Sequence, residues 1–123
     1  AGLLEFIRAV DRPNLGVNYG WTARESGWNS GMDANMKLLD AVLQLSVKSR
    51  SQATPPTTPT NGDRYIVAPG PSGVWVGKAG QIAARIEAGW SFFAPKIGWT
   101  CFIEDEGVLS AYKATGWSAG IAI

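Results

Sequence analysis

Histidine is absent from the 123 residues, and cysteine occurs once, at Cys101. Without an imidazole the chain lacks the commonest general base, the usual partner in a nucleophilic triad and the most frequent zinc ligand. One thiol and no histidine leave neither a ligand set for zinc nor an internal disulfide. Flanked by Trp99, Phe102 and Ile103, Cys101 reads as a small buried hydrophobe. Neither phosphate-cradling glycine loop, of the Walker or the dinucleotide type, occurs. No apolar run approaches the roughly 20 residues of a membrane-spanning helix, so no membrane insertion is expected. The opening Ala1-Gly-Leu-Leu-Glu-Phe-Ile-Arg8 is short and carries Glu5, which makes it a poor secretory signal. Lys and Arg are scattered and the formal net charge is +1, so there is no electrostatic footprint for nucleic acid or an anionic membrane.

Candidate chemistry is thin. Glu104-Asp105-Glu106 is the one acidic cluster, but it lacks the alternating spacing of a calcium loop and fits an exposed turn before Gly107. Glycoside hydrolysis needs two carboxyl groups held across a cleft, and nothing in the spacing of Asp63, Glu87, Glu104, Asp105 and Glu106 selects a pair. A cell-wall hydrolase is disfavoured on the same grounds. The expectation is a non-enzymatic protein with no catalytic residues, no cofactor and no metal.

What the chain does have is a sequence of distinct segments. Residues 3–10 are apolar apart from Glu5 and Arg8 and fit a strand or a helical turn, and Asp11-Arg-Pro-Asn ends them. Residues 11–30 show neither a helical nor a strand period, yet contain Leu15, Val17, Tyr19, Trp21 and Trp28, too apolar for a free linker. They read as an extended arm lying on another surface: its own β domain, a sister chain or a different protein. Tyr19, Trp21 and Trp28 are the candidate docking anchors.

A helix is predicted from Asn29 or Ser30 to about Ser49–Gln52, opened by a capping box at Ser30-Gly-Met-Asp33 and stopped by Pro55-Pro56. At about 100° per residue, Leu38, Val42, Leu45, Leu39, Met32, Leu43 and Met36, continued by Val47, cover an arc of about 200°, twice what a helix on one core requires. Met36, Leu39 and Leu43 follow a coiled-coil spacing, and Leu38, Val42 and Leu45 form a second such row. Two readings stand: an amphipathic helix on its own domain, or a helix buried on two sides, one against its domain and one against copies of itself. Met32 and the six residues of these two rows are the candidate oligomer interface.

Beyond the Pro/Thr-rich spacer, strands are expected at 64–68, 74–77, 90–94, 99–103, 108–113 and from Trp117, with 81–87 open between strand and short helix. The six tryptophans include four at these strand positions, where core packing competes with ligand stacking. Trp75 and Trp117 are the candidate glycan-stacking residues of an alternative reading, a carbohydrate-binding module for host surface glycans. The predicted fold class is α+β: an extended docking arm (1–30), one oligomerisation helix (31–52), a spacer (53–63) and a small antiparallel β domain (64–123), built as a sheet, a sandwich or a partly open barrel.

The run YGWTARESGWNSGMDANMKLLDAVLQL, followed by PPTTPTNGDRYIV, GVWVGKAGQIA and GWSFFAPKIGWTCFIEDEG, resembles an uncharacterised phage and prophage domain of unknown function. That domain occurs in tail-fibre-like proteins of alphaproteobacterial phages and related gene-transfer particles. The likeness spans about residues 17–110 and is most specific at 28–40 and 55–67. The family has no agreed activity or catalytic residues to carry over. The resemblance implies a structural part of the virion at the tail tip or fibre base, made in the bacterial host cytoplasm. It also implies a homo-oligomer, most often a trimer, with other tail or baseplate proteins as partners. Many relatives continue into long fibre shafts, whereas this sequence stops at Ile121-Ala-Ile123.

Overall fold

The computed structural model describes residues 14–22 and 26–123. The fold is α+β: among the described residues, one α-helix and eight strands, in two sheets that are largely antiparallel. The chain divides into two compact units, the second beginning at Gln44. The expected strand or turn at residues 3–10 lies outside the described residues.

The first unit contains helix α1, Trp28–Val42. It begins one turn earlier than a capping box at Ser30 would place it. Its N-cap is Gly27 in the left-handed region (φ 81°), with no side-chain cap; Ser30 is already helical, donating its N–H to the Gly27 carbonyl at 3.1 Å. The helix also ends at Val42, well before the predicted stop at Ser49–Gln52. Leu43 is extended (φ −71°, ψ 125°) and Gln44 sits at φ 53°. The reason is legible afterwards: Leu43-Gln-Leu-Ser-Val-Lys48 alternates apolar and polar at a strand period, and Ser46 and Val47 are weak helix formers.

The second unit, Gln44–Ile123, starts with what had been assigned to the helix. Strand β1 (Ser46–Val47) pairs in parallel with β5 (Thr100–Ile103), with Ser46 opposite Phe102. Strand β5 pairs with β6 (Val108–Lys113), and β6 is flanked on its other side by the two-residue strands β7 (Gly116–Trp117) and β8 (Ile121–Ala122). The second sheet is β2 (Arg64–Ile66), β3 (Ile82–Ile86) and β4 (Gly89–Phe93), antiparallel in that order. The ambiguous stretch 81–87 is therefore a strand. The predicted strand at 74–77 is instead a 3-10 turn, Gly73–Trp75.

Residues 45–52 join the sheets. On one side Leu45 and Val47 carbonyls accept from Phe102 and Glu104 (3.0 and 2.9 Å). On the other, Lys48 donates to Arg64, and Ser49 and Gln52 accept from Ile66 and Ala68 (2.8–3.1 Å). The β unit thus starts at Gln44, not Arg64, and the presumed spacer belongs to it. The Ala53 carbonyl accepts from Ser72, Gly62 donates to Arg85, and the Asn61 side chain accepts from Ala88.

Strand alternation splits the core. Leu45, Val47, Ile66, Ile82, Cys101 and Ile103 form one cluster, with Trp99 and Trp117 packed against it. Tyr65, Val67, Trp75 and Ala83 form another on the opposite face of β2–β3–β4, flanked by Trp90 and Phe92.

Candidate functional site

Helix α1 has two apolar sides with different fates. Gly31, Asn35, Leu38, Ala41 and Val42 are buried. Trp28, Met36 and Leu43 remain 57%, 53% and 62% exposed, and Met32 and Leu39 are half-buried. At about 100° per residue, Trp28, Met32, Met36, Leu39 and Leu43 fall within about 80° of one another and make a continuous stripe. Exposed Asn29, Asp33 and Asp40 border it. Of the seven predicted interface residues, the structure brings Met32, Met36, Leu39 and Leu43 together on this stripe. Leu38 and Val42 are buried within the chain. Leu45 is 5% exposed and packs in the core of the β unit, because the chain has left the helix before reaching it.

The arm has a seat within its own unit. The Asn35 amide, 4% exposed, grips the main chain of Asn18: its Oδ1 accepts from the Asn18 N–H at 2.6 Å and its Nδ2 donates to the Asn18 carbonyl at 2.9 Å. One helical turn back, the Trp21 ring lies so close to Gly31 that any Cβ there would overlap it. Trp21 is therefore used inside the chain rather than kept for a partner, while Tyr19 (52% exposed) and Trp28 face outward. Sequence reasoning missed Asn35 and Gly31 as functional positions. The available signal was a lone asparagine interrupting an apolar arc, since a buried amide must find partners.

Of the two proposed glycan-stacking residues, Trp75 is fully buried and Trp117 half-buried. Trp75 sits in a triad with Tyr65 (5.6 Å between centroids) and Trp90 (5.2 Å). Trp117 packs on the core cluster, meets Tyr112 edge to face at 5.2 Å and donates its indole N–H to the Gly80 carbonyl at 3.0 Å. Arg85 and Lys78 sit over Trp90 and Phe92 at 5.5 and 5.2 Å.

The acidic cluster is tied into structure. Glu104 accepts from Ser46 Oγ at 2.7 Å. Glu106 takes a two-pronged bond from Arg50 (2.8 and 2.9 Å), which holds its carboxyl below the usual glutamate range and raises the guanidinium. The same guanidinium donates to the Ser118 and Ala119 carbonyls (2.7 and 2.8 Å), fastening the last strands to the seam between the sheets. No group of three or more His, Cys, Asp or Glu suited to a metal occurs among the described residues. Burial pushes the Cys101 thiol up to about 12.

A family model described as "Protein of unknown function (DUF2793)" matches residues 32–118, well over half of the chain. The chain belongs to the DUF2793 family. No curated protein matches it. The match takes in most of α1 and nearly all of the β unit, so in this DUF2793 chain the stripe residues from Met32 onward lie inside the family region, and the arm and Gly31 lie just before it.

Proposed function

We propose that this DUF2793 protein is a non-enzymatic structural component that self-assembles through α1, and that its place is the tip or fibre of a phage tail. The observation carrying the assembly is the stripe Trp28–Met32–Met36–Leu39–Leu43, exposed at Trp28, Met36 and Leu43 and half-buried at Met32 and Leu39, beside the buried face of the same helix. A contiguous apolar stripe rimmed by polar residues marks an association surface in soluble proteins. Four of its five positions keep the spacing at which helices interlock side by side. Cyclic packing of identical helices presents each copy's outward residues several times, which raises avidity for a tail or baseplate partner without new contacts. Tyr19, outside the stripe, is 52% exposed. The trimeric state and the virion setting come from the resemblance in the sequence.

Immunogold labelling of particles from a producing strain tests the setting: label at the tail tip or fibres is expected, and label confined to heads or absent from particles overturns it.

A further inference from the structure

The two edges of the β unit differ. Beyond β6, the edge is broken into β7 and β8, two residues each. The break at Ser118–Gly120 is filled by a side chain: Ser118 Oγ accepts from the Ala111 N–H at 3.0 Å, and Gly120 turns at φ 99°. Short, kinked edges of this kind resist further pairing. The other edge is β4, Gly89-Trp-Ser-Phe-Phe93, which has no charge, no proline and an unbroken register with β3. Within its own five residues the strand has no charge, proline or bulge to blunt it as an edge.

The register shows which of its backbone groups are open. Arg85 gives its N–H to Asp63 and its carbonyl to Gly62, both at 2.8 Å, so its main chain points toward β2. Trp90, directly opposite Arg85, is therefore in a pair without mutual hydrogen bonds, and its N–H and C=O point away from the sheet. Phe92, two residues on, does the same, while Ser91 bonds inward to Ala84. Among the described residues nothing accepts from or donates to these outward groups.

We infer that β4 is a self-pairing edge, whose occupant is β4 of a second copy, antiparallel about a two-fold axis through Ser91. The parity is self-complementary. With Ser91 opposite the partner's Ser91, Trp90 faces the partner's Phe92 and the reverse, and these are the residues with open N–H and C=O. Each such pair exchanges both bonds. Paired strands share faces, so Trp90 and Phe92 of the two copies stack as aromatic cross-strand pairs. The contact is isologous, and β4 itself carries no charge, while the cations over its rings, Arg85 and Lys78, lie on the face that the aromatic pairs share. It uses no residue of α1 and stands apart from the helix stripe.

Two measurements test it. Ser91→Cys places thiols on Cβ atoms about 4.5 Å apart across the axis, within relaxed disulfide reach. Mild oxidation should give a covalent dimer as the main product, whereas Thr115→Cys, in the exposed β6–β7 turn, should not. Equal yields from the two variants overturn the proposal. In the unaltered protein, the Trp90 and Phe92 amides should exchange at least about tenfold more slowly as concentration rises, approaching the inward-bonded Ser91 amide. Open-edge exchange rates at every concentration also overturn it. Leu43→Asp, which disables the helix stripe, should leave both results unchanged, so the two contacts fail separately.

Discussion

At the scale of single residues, Glu104 and Glu106 of the acidic cluster are bonded into the fold, and the partner of Glu106 does most of the fastening. That partner is Arg50: its fork closes on Glu106, and its remaining donors satisfy main-chain carbonyls of Ser118 and Ala119. Arg50→Ala should destabilise the β unit by about 1.5–3 kcal/mol, the range for hydrogen bonds from a charged group. Arg50→Lys should recover only part of this, because an ammonium cannot fork. Urea denaturation measures both. Glu106 has a depressed folded-state pKa, so its contribution is complete above the unfolded glutamate value and disappears as pH falls through the lower folded one. Glu106→Gln should therefore flatten the stability–pH curve below the usual carboxylate range and leave its shape near neutrality. Cys101, fully buried and with its thiol pushed up to about 12, should ignore an aromatic disulfide reagent at pH 8 in the native protein and react when urea unfolds it.

At the scale of elements, α1 was legible in kind and misplaced at both ends. Its apolar breadth was readable from spacing alone, as were most strands of the β unit, because periodicity reports burial directly. The early stop was not recognised because 43–48 fits a helical arc and a strand alternation equally well; the choice is made by β5, far away in sequence, which bonds Leu45 and Val47. The turn at Glu87-Ala88, where both residues take positive φ (53° and 62°), carries no glycine or asparagine to announce a hairpin. The arm's seat was equally hidden, since one asparagine gripping a main chain leaves no period. Asn35→Ala strips the Asn18 N–H and C=O of partners and should cost about 1–3 kcal/mol, seen as faster exchange of the Asn18 amide. The two sides of α1 separate by substitution. Leu38→Asp puts a charge into a buried position and should abolish cooperative unfolding of the helix unit. Leu43→Asp, at a position 62% exposed in the single copy, should keep the helical circular dichroism, and its melting should fall only by the stability that assembly adds, a difference that vanishes on dilution.

At the scale of the whole molecule, the account is one of assembly. The stripe on α1, with Trp28, Met36 and Leu43 exposed, and the open backbone edge at β4 are the two places offered to a second copy, although Val74, Val76, Ile97 and Ile121 are exposed as well. The tryptophans that suggested a glycan platform show why residue type alone misleads. Trp75 looked like a strand residue and belongs to a 3-10 turn, buried against Tyr65, Val67 and Ala83. The measurement closest to the central claim is the solution mass by sedimentation equilibrium of the unaltered protein beside Leu43→Asp. The account predicts a homo-oligomer for the first and, at equal concentration, a smaller species of no more than two chains for the second, with its dissociation constant for helix-mediated association raised about 30-fold or more, as for loss of a central contact of about 2 kcal/mol. A monomeric parent at every concentration, or a Leu43→Asp variant of undiminished mass, would contradict it.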